Sequence, residues 1–512
     1  MAPTRVDFNL HLWSNLRRFS RALPIGICVG TRMDVLMTDS PDKQLLFDKL
    51  KPFGQQHLLR YWDELFSAQR RELAAQIESI DLALIDSLYR GEVDQPNWHE
   101  LSCRAEPPAA VRLADIVAGA PGSLGITPDA AHECGTKALA AGEVGVLLTA
   151  GGQGSRLGFE LPKSLYPIGP LSGASLLQIH IEKVRALSDR YGVAIPLYLM
   201  TSPATHDDTI RFLAENNRFG LSESDLLVFC QGSMPAVDLQ SGKLLLSARH
   251  QMFLSPDGHG GTVAALAASG ALEAIKKRGI RQLFYLQVDN PLVPIGDPQF
   301  VGYHLLAESE LTSLAVAKQL PQDKVGNFAQ IDGNLNVIEY SDFPDEVAEQ
   351  RDQHGQLKFW AGSIAVHVFD VGLFERAQAV KTTLPFHVAR KKVVHLGQDG
   401  EPVSPDEPNA LKFERFIFDL LPAARNPIVV EFAEVDCFAP LKNAPGAEKD
   451  TAQYVQQMMC AQYRRWLEAA GAKVAEGAQV EISPLFALDA AGVAERIDPG
   501  RLFETSQYIT DS

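Results

Sequence analysis

The sequence predicts an α/β protein built on a mostly parallel sheet, and three observations carry that prediction. Short apolar runs alternate with helical patterns through the middle of the chain, a glycine-rich loop follows directly on one of those runs, and no apolar stretch approaches the ~20 residues needed to span a bilayer. Alternation of this kind sets strands side by side with crossover helices packed on the sheet, so ligands gather at the carboxyl ends of the strands.

The elements follow in order. From Ser40, Pro41 and Asp42 a capping signal precedes Leu45, Leu46, Phe47 and Leu50, and then Leu58, Leu59, Trp62, Leu65 and Phe66 recur at helical spacing. This predicts a helical N-terminal region over 39–108, closed by the linker signal Glu106-Pro107-Pro108-Ala109, where consecutive prolines remove backbone donors. Strand-like runs then fall at 144–149, 196–201, 226–229, 283–288 and 314–318. Helix candidates lie between them at 175–187, 207–216, 262–277 and 298–308, giving a central domain over 109–420. From about Leu420 the order changes to a strand at 428–432, a long helix at 454–470 and a last strand-then-helix stretch, so 421–512 is expected to form a C-terminal domain. No internal repeat and no low-complexity block interrupts the chain.

Residues 1–38 stand apart. Within residues 1–32, Arg5, Arg17, Arg18, Arg21 and Arg32 oppose only Asp7, a bias loosely like an organelle transit peptide, while Met33 and Met37 offer later starts. A targeting segment, a disordered tail and an over-extended start stay open, and with no motif before residue 36 that stretch is expected to be dispensable.

Composition excludes several classes. The chain of 512 residues has 46% hydrophobic and 21% charged residues, as a globular protein does, and a formal net charge of -16 that repels nucleic acid. An anionic ligand must therefore be met by a local cluster of donors. The six cysteines, Cys28, Cys103, Cys134, Cys230, Cys437 and Cys460, are scattered without a CxxC pair, which argues against a disulfide framework or zinc site. They suit a reducing compartment and, for the most part, small core positions.

The strongest chemical signal is the run from Val144 to Gly158, an apolar strand passing straight into Ala150-Gly-Gly-Gln-Gly-Ser-Arg-Leu-Gly158. Glycines at 151, 152, 154 and 158 let backbone N–H groups approach an anion without a Cβ in the way. Two familiar phosphate loops are ruled out: Leu157 occupies the last glycine position of GxGxxG, and Pro162 stands where a Walker loop needs glycine before Lys163. A second cluster, Pro256-Asp-Gly-His-Gly-Gly261, precedes a helical run and can aim amides from a helix start. Asp289 ends a buried-looking strand before Asn290 and Pro291, where a carboxylate can hold Mg²⁺ against phosphates or simply cap a turn. Phe416 and Phe418 alternate at strand period, which suits packing as well as a ligand wall.

Together these strings resemble the UDP-N-acetylhexosamine pyrophosphorylases and the related UDP-sugar pyrophosphorylases, from Phe53-Gly-Gln-Gln-His57 to Glu481-Ile-Ser-Pro484. The resemblance implies a nucleotide-diphosphosugar transferase fold related to GT-A glycosyltransferases: a central mixed sheet with helices on both faces, a helical N-terminal region and a small α+β C-terminal domain. It implies a cytoplasmic uridylyltransferase taking UTP and a sugar 1-phosphate as partners, with Mg²⁺ or Mn²⁺, and with no nucleic acid or membrane involved. Monomer and weak dimer stay open.

Carried over by motif, Gly151, Gly152, Gly154 and Arg156 fall in the stretch that wraps the UTP phosphates, with Lys163 as the main phosphate-binding lysine and Lys442 of Leu441-Lys-Asn443 as a second. Gln231 matches the glutamine that reads uracil, Gly258 lies at the nucleotide, and Asp289 matches the metal-holding residue. Glu339, Gly362 and Ser363 match the sugar contacts, and Lys412, Phe416 and Phe418 are further substrate candidates. Two departures divide the evidence on the sugar. His259 and Ser363 stand where the acetylglucosamine enzymes more often have Asn, and Gly-His-Gly is more usual in the glucose and broad-specificity relatives. The expected acceptor is N-acetylglucosamine 1-phosphate, with hexose 1-phosphates as the alternative. A non-catalytic nucleotide-sugar sensor and a GT-A glycosyltransferase are rival readings. Lys163 and Lys442 oppose both, and Asp289-Asn290-Pro291 is not the DxD string of a glycosyltransferase.

Overall fold

A computed structural model describes residues 41–93, 96–379 and 384–511. The N-terminal arginine bias, Met33, Met37 and Cys28 lie outside the described residues.

Eight strands form the path of the central sheet: β1 (Ala110–Val111), β2 (Val144–Thr149), β3 (Leu197–Thr201), β4 (Leu226–Cys230), β5 (Gln282–Gln287), β6 (Leu311–Ala317), β7 (Ala361–Asp370) and β8 (Ile428–Phe432). Their order in space is β1-β8-β6-β7-β5-β2-β3-β4, and a hairpin of Gly326–Ile331 and Asn334–Ile338 attaches beside β7 to make ten strands. All path neighbours are parallel except β7, which runs antiparallel to both β5 and β6. The sheet is therefore mixed, with one reversed strand at its centre.

Every residue of β2 and of β3 is buried, which is why they read as unbroken apolar runs rather than alternating ones. One core, with Val146, Leu148, Leu197, Leu199 and Phe284, fills one side of the sheet, and a second, with Leu147, Tyr198, Leu283 and Tyr285, fills the other. Helix Leu176–Tyr191 covers the first of these; Ser175 caps it by accepting from the Gln178 N–H, and Gly192 ends it at φ 65°. The predicted helix at 262–277 is two, Thr262–Ala268 and Ala271–Lys277, because Gly270 takes φ 74° between them.

Three further differences from the sequence reading have physical causes. The Glu106 to Pro108 segment is docked rather than free, since Glu106 exchanges two backbone hydrogen bonds of 2.8 Å with Gln330 and β1 then pairs with β8. The boundary set at 420/421 runs through the central sheet, because β8 is a sheet strand between β1 and β6. Phe416 and Phe418 are not on a strand: the strand Ala410–Glu414 ends before them and a 3₁₀ turn begins at Ile417.

Helices Lys43–Leu50, Ser67–Ser79 and Leu82–Arg90 lie in the N-terminal part of the chain and pack on Val237, Leu244, Met252, Phe386 and Phe413. The five described cysteines are unpaired; only Cys437 is fully buried and Cys103 is exposed, so the core reading holds in full for one of them. Among the described residues no helix is long and apolar enough to cross a membrane.

Candidate active site

Strands β3 and β4 lie to one side of β2 and β5 to the other, so the chain reverses its direction of travel across the sheet at β2. A crevice opens at the carboxyl ends of the strands at such a point. The glycine loop leaves β2 there, Gln231 follows β4, Asp289 lies just past β5, and the antiparallel β7 brings its first residues, Gly362 and Ser363, to the same edge.

Two cavities occupy this edge. One, of about 200 Å³, is lined by Thr149, Gly151, Gly152, Lys163, Gln231, Gly258 and neighbours. The other, of about 160 Å³, is lined by Glu339, Ser363, Phe418, Lys442 and others from the hairpin and β7. His259, Gln287 and Asp289 line both.

In the first cavity the Lys163 N–H donates to the Gly152 carbonyl at 3.0 Å, which folds the segment after the loop back onto it. The ammonium then lies 3.4 Å from Asp289 Oδ2, both side chains being largely shielded from solvent. Gln231 is 6% exposed and packs so closely on Gly151 that a Cβ there would lie 2.8 Å from its Oε1. Its amide is the side-chain group that presents both a donor and an acceptor to a planar base.

The second glycine cluster is an irregular turn held by a clamp. Asp257 and Arg415 form a buried ion pair, the Arg415 N–H donates to the Asp257 carbonyl at 2.8 Å, and the Gly260 N–H donates to the Arg415 carbonyl at 2.8 Å. Gly258 has φ 84° and ψ 167°, a region open essentially to glycine alone, and a Cβ on it would lie 2.3 Å from that carbonyl. The clamp sets His259. Its Nδ1 accepts from the Ile417 N–H at 3.1 Å, so Nε2 carries the proton, and its ring stacks on Phe416 at 5.2 Å and contacts Phe418 at 5.6 Å. Burial, with His387 nearby, lowers its pKa to about 4 and keeps it neutral.

Asp289 and Lys442 are brought together by Asn290. The Asn290 amide donates to the Cys437 carbonyl at 2.8 Å and its oxygen accepts from the Ala439 N–H at 3.1 Å. The Leu441 N–H donates to the Asp289 carbonyl at 2.8 Å, which sets Lys442 beside the aspartate's own backbone. The sequence offered Asp289 as either metal ligand or turn cap. The turn is carried by Asn290, leaving the Asp289 carboxylate for the cavities.

In the second cavity Glu339 is half-buried, and desolvation pushes its pKa up to about 6 against the opposing pull of His387. Ser363 stands on the cavity wall, and Ala365 beyond it takes φ 56° where the β6–β7 register slips. That is a strained conformation for a residue with a Cβ, held by a strand paired on both sides.

Of the sequence-predicted residues, Gly151, Gly152, Lys163, Gln231, Gly258, His259, Asp289, Glu339, Ser363, Phe418 and Lys442 line the cavities. Gly154 does not; it is buried where a Cβ would meet Phe159 and the Leu161 carbonyl at 2.7–2.8 Å, so it shapes the loop. Gly362 backs Val325, and Phe416 stands behind His259. Arg156 is exposed outside both cavities, and Lys412 is near enough to it for Arg156 to help lower its pKa, after burial as the main cause. The sequence reading missed Thr149, Gln287, Asn290, Lys324, Tyr340, Ala365 and Phe438. Only Asn290, inside the string Asp-Asn-Pro, carried a signal that could have found it.

A glycine loop with a lysine beside a second cavity at a switch point of the sheet is an arrangement suited to an α/β enzyme that takes a phosphorylated ligand against a second one. The sequence profile of the UTP–glucose-1-phosphate uridylyltransferase family matches residues 127–460, and the chain belongs to that family; it is a nucleotidyltransferase. The chain is similar to UDP-N-acetylglucosamine pyrophosphorylase of Saccharomyces cerevisiae, with 33% identity over 487 residues, 93% of this chain and 100% of the yeast protein. It is similar also to human UDP-N-acetylhexosamine pyrophosphorylase-like protein 1, with 33% identity over 476 residues, covering 91% and 92% of the two chains. Among solved structures, UDP-N-acetylglucosamine pyrophosphorylase from Trypanosoma brucei superposes with a TM-score of 0.75 at 25% identity, covering 91% of this chain and 99% of that one.

Proposed function

We propose that this protein transfers the uridylyl group of UTP to N-acetylglucosamine 1-phosphate, releasing pyrophosphate, on a fold of the GT-A-related nucleotide-diphosphosugar class. The observation that carries the reading is the meeting of two cavities at one wall, with Lys163 and Asp289 at the junction and Lys442 beside it. Uridine sits in the first cavity against Gln231, and the sugar in the second against Glu339 and Ser363. The sugar-1-phosphate oxygen attacks the α-phosphorus from the second cavity, and pyrophosphate leaves towards the glycine loop.

Both reactants are anions, so alignment and charge neutralisation supply the catalysis, and no covalent intermediate is needed. Lys163, Lys442 and the loop amides do that work, while Arg156, which the sequence reading placed beside them, is exposed outside both cavities. For a divalent cation, among the described residues no cluster of three His, Cys, Asp or Glu side chains forms, and a single carboxylate fits Mg²⁺, which commonly takes one or two carboxylates and completes its shell with phosphates and water. Asp289 would hold it, Mn²⁺ being the alternative, and the ion supplies further neutralisation of the phosphates when bound.

Hexose 1-phosphates are the second reading of the acceptor, favoured by His259 and Ser363 on the cavity walls. The reverse direction tests the assignment: with pyrophosphate and Mg²⁺, UDP-N-acetylglucosamine is converted to UTP. Absence of UTP formation from this and every other UDP-sugar refutes it.

A further inference from the structure

Three side chains line both cavities, and two of them are already engaged. Asp289 is paired with Lys163, and His259 is fixed between the Ile417 N–H and two phenyl rings. The third, Gln287, meets the Tyr285 hydroxyl of its own strand and has no other part in anything described so far. If the attacking oxygen and the α-phosphorus meet where the cavities join, Gln287 faces the reacting atoms.

Its setting is rigid. Gln287 is the last residue of β5 and pairs across the sheet with Thr149, the last residue of β2, whose hydroxyl donates to the Leu286 carbonyl at 3.4 Å. Two residues back on the same strand face, Tyr285 is fully buried beneath Thr149 and Gln287, with its ring 5.7 Å from His367 and 5.8 Å from Phe369. The Tyr285 hydroxyl interacts with the side chains of both Thr149 and Gln287, and a glutamine tethered in this way loses less entropy when its amide meets a ligand.

The chemistry of the position is also narrow. Two anionic reactants converge on a wall that already carries the Asp289 carboxylate, so a further acid there opposes them and a further group that helps must donate. Gln287 presents two N–H donors on a neutral group.

We propose that Gln287 is a further substrate-contacting residue whose side-chain amide donates to a non-bridging oxygen of the α-phosphoryl group in transit between the cavities. In that step the sugar-phosphate oxygen forms its bond to the α-phosphorus, the bond from the α-phosphorus to the oxygen bridging the β-phosphate breaks, and the electron pair leaves with pyrophosphate. The inference rests on the uridylyl-transfer reading.

The test compares the full-length parent with Gln287→Leu and Gln287→Glu, using UTP, Mg²⁺ and N-acetylglucosamine 1-phosphate forward and UDP-N-acetylglucosamine with pyrophosphate in reverse. Gln287→Leu is expected to lower kcat about 10–100-fold in both directions while the calorimetric Kd for UTP stays within about threefold, the pattern of a contact made chiefly in the transition state. Gln287→Glu, nearly isosteric, is expected to fall roughly tenfold further, because a carboxylate beside Asp289 opposes both anions. A purely structural role predicts the opposite order, with Gln287→Glu the milder change. That order, or a folded Gln287→Leu within about threefold of the parent, overturns the inference. If Gln287→Leu does not fold, Gln287→Glu decides: parent-level turnover overturns the inference, and a loss of at least tenfold with UTP binding retained supports it. A parent without activity in either direction defeats the underlying reading and this inference with it, whereas an active parent beside an unaffected Gln287→Leu defeats the inference alone.

Discussion

Substituting alanine at two adjacent glycines of the loop separates base reading from phosphate binding. A Cβ on Gly151 would lie 2.8 Å from Gln231 Oε1 and 3.3 Å from Ser202 Cβ, whereas a Cβ on Gly152 meets only Lys163 Cε, at 3.9 Å. Neither glycine has positive φ, so backbone strain does not enter. The Ser202 wall is pinned by its hydroxyl, which donates to the Gly151 carbonyl at 2.8 Å. The end of the Gln231 side chain is the part that must move. Losing one well-placed amide contact, with a polar group of the base left unpaired, costs about 1–3 kcal/mol, or roughly 5–150-fold. Gly151→Ala is therefore expected to lower the ratio of kcat/KM for UTP over ATP by ~10–100-fold without a change in melting temperature, and Gly152→Ala to leave that ratio unchanged. Initial rates of pyrophosphate release with each nucleotide at saturating sugar 1-phosphate measure it. A parent-like ratio in Gly151→Ala, or an equal change in both variants, refutes the assignment of Gln231 to the base.

Three more outcomes are expected. Lys163→Ala keeps the fold and loses roughly 10²–10³ in turnover, as for removal of one electrostatic stabiliser, and near-parent activity in the folded variant removes Lys163 from the mechanism. Glu339, with its pKa raised to about 6, is protonated below that pH and ionised above it, and the ionised form is the better acceptor for sugar hydroxyls. The KM for sugar 1-phosphate is thus expected to fall as pH rises from 5 to 7, and Glu339→Gln to lose that part of the profile; an identical profile in the variant counts against Glu339 as the sugar contact. His259→Asn is expected to shift the ratio of specificity constants towards the acetylated sugar, by no more than the ~10–200-fold that pocket size alone supplies. An unchanged ratio takes His259 out of the specificity argument.

What the sequence disclosed depended on whether the signal was local. Val144–Thr149 and Ile428–Phe432 were legible to the residue because uniform burial leaves an apolar run with sharp ends. β7 was not, although it is the longest strand of the sheet: Ser363 and His367 interrupt its apolar run, and Ala365 breaks its regularity with φ 56°. Without β7 the sheet reads as nearly all parallel. The phosphate-loop half of the site was legible for the same local reason, as consecutive glycines followed by Lys163 leave a compact string. Gln287 was not, since nothing near it in sequence says that β2, the hairpin and the stretch at Lys442 converge there, and Asn290 had only the string Asp-Asn-Pro to mark it. Phe416 and Phe418 show how period misleads over three residues, for an extended strand and a 3₁₀ turn can both leave two aromatics close together.

The most direct measurement is the forward reaction: pyrophosphate release from UTP and Mg²⁺ with N-acetylglucosamine 1-phosphate, glucose 1-phosphate and galactose 1-phosphate in parallel, with the nucleotide product identified in each. The account predicts UDP-N-acetylglucosamine as the product formed with the highest kcat/KM, and slower but measurable turnover of the unmodified hexoses. An enzyme inactive on N-acetylglucosamine 1-phosphate but active on a hexose 1-phosphate contradicts the assignment of the sugar, and one that releases no pyrophosphate with any of the three contradicts uridylyl transfer itself.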